Sequence, residues 1–329
     1  MTTRRSTLGY FASSLVAPAL LSSGPAATQT VSIKQLTLVV PFPPGGGTDV
    51  VARLVADGLR GRYAETVVVE NRAGVSGRLG VQSVKSAPAD GSVMVFTPAF
   101  PLAIFPHIYK TMPYDALRDF VPVATTSKGA MVLAVGPGVP VEVKTVADFQ
   151  AWCKANPDKA TFGAPTGSGQ HFAGVMFARL SDTPLRMVPY KGGAPSIVDV
   201  LGGHIAAVVT PMSESLPHAK EGKLRILATT TRKRSRFTPE VPTMRELGYD
   251  VVFEDWSGLL APANTPRELI ARVSQAVAQI IRSPQGESAM DKFGVESDLN
   301  TPEQFAVLYR ATWEHYQMVV RYTGFTAED

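Results

Sequence analysis

Two short stretches carry the residues whose types and spacing could do chemistry. The first, PFPPGGGTD, runs from Pro41 to Asp49, and the second, PTGSGQH, from Pro165 to His171. Both set glycines beside hydroxyl groups at what reads as the start of a helix. Glycine tolerates positive φ and lets another backbone or a ligand come close. A helix start offers unpaired N–H groups and partial positive charge, which suits a carboxylate or a phosphate. Thr48 and Asp49 in the first stretch and Ser168 in the second are of the types that cap a helix. Either stretch alone reads equally well as a tight turn. Finding the same arrangement twice points to a site for an anion.

Other chemistries fit less well. The first stretch has no lysine followed by serine or threonine after its glycines, and it does not spell G-x-G-x-x-G, so nucleotide binding has no support. Ser168 lacks the nucleophile-elbow pattern, because Thr166 stands where the first glycine belongs. His171, three residues on, is poorly placed as a base, which in a triad comes from elsewhere in the chain. Ser168 is therefore expected as a cap and hydroxyl donor, and His171 as either a packed helix residue or a cleft residue. The histidines at 107, 171, 204, 218 and 315 lack ligand spacing, so no metal and no cofactor are expected. Cys153 is the single cysteine. In TVADFQAWCKANP it shares a helix face with Val146, Phe149 and Trp152, which reads as buried packing.

The elements that must position these stretches follow an α/β alternation. LTLVV reads as a buried strand, and the helix after it lays Val51, Leu54, Val55, Gly58 and Leu59 along one side. TVVVE (66–70) and VMVF (93–96) are further strands. A second series opens near residue 131 with MVLAV, a helix capped by Thr145, and a strand leading into the second glycine stretch. The chain end is mostly helical, over 266–282, 285–293 and 302–322. Two lobes are expected, with a crossing near 121–130, a return near 226–238 and a ligand held between them at the carboxyl ends of the strands. The basic run TRKRSRF (231–237) could contact an acidic partner, but reads first as a solvated loop between the lobes.

The chain has 329 residues, 45% of them hydrophobic, with 32 basic and 28 acidic residues for a net charge of +4. So even a balance gives nucleic-acid binding little electrostatic support. The first thirty residues have Arg4 and Arg5, an apolar stretch from about Leu8 to Leu21, then small residues. That is the layout of an export signal, cleaved around residues 22–30, with the route left open between general secretion and twin-arginine export. The apolar stretch is broken by Pro18 and is too short for a good membrane span.

Seven stretches in register resemble one family. They are VVPFPPGGGTDVVARLVADGL, VVVENRAGVSGRLG, FGAPTGSGQHFAG, VPYKGGAPSIVDVLGGHI, LPHAKEGKLRILATT, PEVPTMRELGY and WSGLLAPANTP, spread over residues 31 to 325. Together they resemble the Bug family of periplasmic solute-binding proteins, the receptors of tripartite tricarboxylate transporters. The resemblance implies an α/β, two-lobed periplasmic binding protein of the type II-like Venus-flytrap kind, each lobe a mixed sheet flanked by helices. It implies an export signal over 1–30, a first lobe over 31–125 plus 239–329, and a second over 126–238. It also implies a monomer, no enzyme, a small carboxylate as ligand, and delivery to membrane transporter subunits. A ligand-sensing protein of the same fold without its own transporter is the alternative. One ligand carboxylate would be gripped by both glycine loops, through Phe42, Gly46, Gly47, Thr48 and Asp49 on one side and Thr166, Ser168 and His171 on the other. Tyr190 belongs to the second-lobe site, where with Asp199 it is expected to support rather than touch the ligand. The far end of the ligand would meet Thr97, Pro98, Ala99 and Phe100, with Thr210 and Pro211. Family members commonly have Asp at the position of Thr210. Its loss here removes an obvious partner for an ammonium group and favours a di- or tricarboxylate or an aromatic acid over an amino acid. Phe100 and Trp256 either flank a flat ligand or pack in the core.

Overall fold

A computed structural model describes residues 1–2 and 33–327, so the expected export signal lies outside the described residues. Three parallel strands open the chain: β1 (Ile33–Val40), β2 (Ala64–Asn71) and β3 (Val93–Pro98), with α1 (Gly47–Leu59) and α2 (Arg78–Lys85) between them. Two single-turn helices, α3 (Phe100–Ala103) and α4 (Phe105–Ile108), lead to the long strand β4 (Phe120–Val135). A second series follows: α5 (Val146–Ala155), β5 (Thr161–Pro165), α6 (Gly169–Leu180), β6 (Arg186–Tyr190), α7 (Gly193–Leu201), β7 (Ala207–Pro211), α8 (Met212–Lys220) and β8 (Arg225–Thr229). The chain then returns through β9 (Glu254–Pro262), α9 (Arg267–Ile281), α10 (Pro284–Lys292), the short β10 (Glu296–Ser297) and α11 (Pro302–Thr323).

The strands lie in the order β2-β1-β3-β9-β4-β7-β5-β6, with β8 and β10 also on β4. The fold is therefore a two-lobed α/β arrangement whose halves share one strand. Up to Ala130, β4 pairs antiparallel with β9; from Met131 it pairs antiparallel with β7. The sequence reading put a crossing at 121–130 and a new strand after it. The crossing is instead the strand itself, because Val121 to Val135 keeps enough β-branched and small residues to stay extended and hydrogen-bonded throughout. WSGLLAP, unassigned by periodicity, is β9, the partner that carries the chain back.

Side-chain alternation builds layers on both faces. In the first half, Leu38 and Val40 meet Val51, Val55 and Leu59 of α1 and Val273 and Val277 of α9. Val39 and Val95 face the other way, toward Val81 and Val84 of α2 and Phe305 and Tyr309 of α11. In the second half, Val209 joins Phe149 and Cys153 of α5 and Phe172 of α6, whereas Val208 joins Ile197 and Val200 of α7 and Met212 and Leu216 of α8. Cys153 is thus core packing, and burial pushes its thiol up to about 12. Thr145 caps α5 in a reciprocal arrangement with Asp148, as its type predicts. The basic run 231–237 is surface loop whose charge is met locally, Arg234 by Glu246 at 2.9 Å and Arg236 by Asp291.

Candidate functional site

Both glycine stretches leave the carboxyl end of a strand and enter a helix, α1 after β1 and α6 after β5. In the first, Gly45 has φ +87° and the chain is exposed from Pro43 to Gly47. A Cβ added at Gly45 or Gly46 would meet no atom within 4 Å, so the run is open on its outer side. The cap is Gly46, with no side-chain hydrogen bond, rather than Thr48 or Asp49. The chain turns helical earlier than the residue types suggested because three glycines accept the tight geometry. Thr48, half-buried, falls in the first turn of α1.

Asp49 lies beneath the loop rather than on it, only 3% exposed. Its Oδ2 accepts the Gly45 N–H at 2.9 Å and Arg53 Nε at 2.9 Å. Its Oδ1 accepts Asn71 Nδ2 at 2.9 Å and Arg53 Nη2 at 3.0 Å. Burial alone would raise its pKa, but bonds from Arg53, Gly45 and Asn71 outweigh it and hold the carboxyl below the usual range. Both oxygens are committed to shaping the loop. Asn71 also donates to the Phe42 carbonyl at 3.1 Å, which ties the end of β2 to the same loop.

In the second stretch Gly167 has φ +71° and Ser168 caps α6 as its type predicts. Ser168 Oγ accepts the His171 N–H at 3.2 Å and donates to the Pro165 carbonyl at 2.6 Å. His171 Nδ1 accepts the Gly167 N–H at 3.2 Å. That bond requires an unprotonated Nδ1, and burial pushes the imidazole down to about 4. The serine proton is thus given to a carbonyl, and the histidine's lone pair takes a backbone proton. Thr166 is exposed.

A row of rings joins the two loops. Phe42 lies 5.3 Å from Phe100, and Phe100 lies 5.5 Å from Phe105. Phe105 and Ile108 in turn bracket Gly167, where a Cβ would stand 2.6 Å from Ile108 Cδ1 and 3.9 Å from Phe105 Cε1. Phe325 closes the other side, 4.6 Å from His171 and 5.7 Å from Phe172. Phe105 and Phe325 escaped the sequence reading, since neither falls in a glycine stretch and Phe325 lies beyond the last helix.

The remaining candidates separate. Phe100 is half-buried beside the first loop, whereas Thr97 is fully buried and donates to the Pro98 carbonyl at 3.0 Å. Thr210 is fully buried and shares a 2.7 Å bond with Ser215. Tyr190 donates to Asp199 at 2.5 Å, and its hydroxyl is raised to about 12 by burial and then by that carboxylate. Trp256 does not flank a ligand. It is 1% exposed, packs edge-on against Phe305 at 4.8 Å, and donates its indole N–H to Thr312 at 3.2 Å. Its place on β9 turns it toward α11, which no local pattern reveals.

Comparison with known proteins then decides the family. Residues 51–324 match the tripartite tricarboxylate transporter family receptor, TctC. The chain belongs to this family. BugT of Bordetella pertussis is 33% identical over 305 residues, covering 92% of this chain and 93% of BugT. A solved periplasmic transporter is 32% identical, with a TM-score of 0.81 over 89% of this chain and 98% of its own. An R. palustris protein solved with adipate is 30% identical, with a TM-score of 0.82 over 89% of this chain and 98% of its own. This TctC-family receptor thus shares the two-lobed fold of its relatives along nearly its whole described length.

Proposed function

We propose that this receptor works in the periplasm, after export and removal of the leader, and captures a small organic carboxylate between its lobes without turning it over. The observation that carries this reading is the pair of glycine-flanked helix starts, the first open on its outer side and joined to the second through Phe42, Phe100 and Phe105. Backbone N–H groups of the two loops, with the hydroxyls of Thr48 and Thr166, would hold the carboxylate. Phe42 and Phe100 would cover its apolar neighbour atoms, while Ser168, His171 and Asp49 keep the loops in shape. Adipate in the R. palustris relative supports a carboxylate as the ligand class.

The lobes in this reading are 33–125 with 239–327, and 126–238, moving about the shared strand β4 and its partner β9. A ligand that touches both loops favours the closed form by the difference in its affinity for the two forms. The closed form would then be read by membrane subunits of a tripartite transporter.

The test is thermal stability after unfolding and refolding to remove bound metabolite, against a panel from monocarboxylates to adipate, citrate and benzoate-type acids. A true ligand at about a hundred times its dissociation constant adds roughly 2.7 kcal/mol. The ligand should be recovered chemically unchanged. An unchanged melting curve across the panel, from protein shown to be refolded, would reject the reading.

A further inference from the structure

The last helix turns an exposed, patterned face outward. Its inner side is buried through Phe305, Tyr309, Tyr316 and Val320. On the opposite side Glu303, Arg310, Glu314 and Arg321 are all exposed. Their spacings of seven, four and seven residues are close to whole turns, so they form one charged row along the helix. Val307, Ala311 and Met318 form an apolar row directly beside it, with Val307 72% and Met318 63% exposed. Single exposed apolar side chains are ordinary, but an aligned row of them is a contact surface in form. The charged row is not used up within the chain. Arg310 and Glu314, though four residues apart, form no salt bridge, and Arg321 forms none among the described residues. A base placed before an acid is the poorer order for a pair within one helix.

The signs in that row are arranged about a single residue. Glu303 and Arg321 stand nine residues either side of Thr312, and Arg310 and Glu314 stand two either side of it. Each pair is opposite in sign. Two copies of α11 laid antiparallel with Thr312 level therefore set acid against base at all four positions. The twofold axis of that pair, perpendicular to both helices, also keeps apolar row against apolar row. Val307 then lies near the level of Met318 in the partner, and the two Ala311 methyls meet close to the axis. A parallel pair would lay the charged row of one copy over the apolar row of the other. An unrelated partner would have no need of signs balanced about a midpoint, whereas a second copy of this chain does. We propose that the chain forms an isologous dimer through antiparallel α11 helices centred on Thr312. The apolar row supplies the attraction, and the charged row sets direction and register. One helix pair is a small contact, so the dissociation constant is expected on the order of 10–100 μM. This replaces the monomer that the family resemblance implied and does not depend on the ligand.

The experiment is sedimentation velocity of the purified chain from about 1 μM to about 500 μM, with melting curves to show that each variant is folded. The sedimentation coefficient should rise with concentration toward that of a dimer. Arg310→Glu sets acid against acid twice across the axis and should weaken association at least about tenfold. Adding Glu314→Arg to that variant restores opposite signs and should bring association back to within about threefold of the parent. Met318→Lys should abolish it. A chain that stays monomeric at the highest concentration would overturn the proposal. So would a dimer that Met318→Lys leaves intact, since the contact would then lie elsewhere on the molecule. Association that is insensitive to Arg310→Glu, or that the double reversal fails to recover, would reject the antiparallel register and the proposal with it.

Discussion

His171 and Asp49 show how single side chains hold the loops, and each implies a measurable pH dependence. The imidazole of His171 is pushed by burial from 6.5 down to about 4. Its folded pKa is the lower one, so stability is complete above the unfolded value and is lost as pH falls. Urea midpoints should drop between about pH 6.5 and about pH 4. His171→Asn, whose amide oxygen can still accept the Gly167 N–H, should flatten that slope. Asp49 is also depressed, so its contribution persists above the ordinary carboxylate range and disappears only in stronger acid. Asp49→Ala strands the Gly45 N–H, Asn71 and Arg53 and should cost about 2 kcal/mol in denaturant unfolding. Ser168→Ala removes a cap and should cost about 1 kcal/mol by the same assay. A Ser168→Ala protein as stable as the parent would show that the cap is replaced by water.

At the scale of elements, the site depends on how closely α6 lies on β5. Gly174 faces Phe162, and a Cβ there would come within 2.2 Å of the ring. Gly174→Ala must therefore lift the helix or turn the ring, at a cost of about 1–3 kcal/mol. Because α6 begins at the second glycine loop, the same change should weaken ligand binding, which titration beside the melting curve would register. Retained affinity with lowered stability would mean that the loop is anchored by Phe105 and Phe325 rather than by its helix. Gly58 plays the same part where α1 crosses α9, with Ile280 Cγ1 2.4 Å from its would-be Cβ. Close approach, rather than backbone freedom, explains both glycines.

For the molecule as a whole, the two halves share the strand β4. A ligand bridging the loops should reduce the radius of gyration in solution scattering, and an unchanged profile at saturation would mean that binding occurs without closure. Much of this architecture is legible from local pattern. The alternation of strands and helices, the caps at Thr145 and Ser168, the buried face of Cys153 and the three C-terminal helices all depend on near neighbours and on periods of two or 3.6 residues, which a sequence displays directly. The family resemblance likewise rests on short stretches in fixed order. What local pattern could not supply was the identity of distant partners. Trp256 faces α11, Asp49 turns under its loop to meet Asn71, and Phe325 comes back to His171. Each outcome was decided by which surfaces the packed sheet brings within a few ångströms, across separations of tens to hundreds of residues. Residue type sets what a group can bond. Only the tertiary structure decides what it is offered.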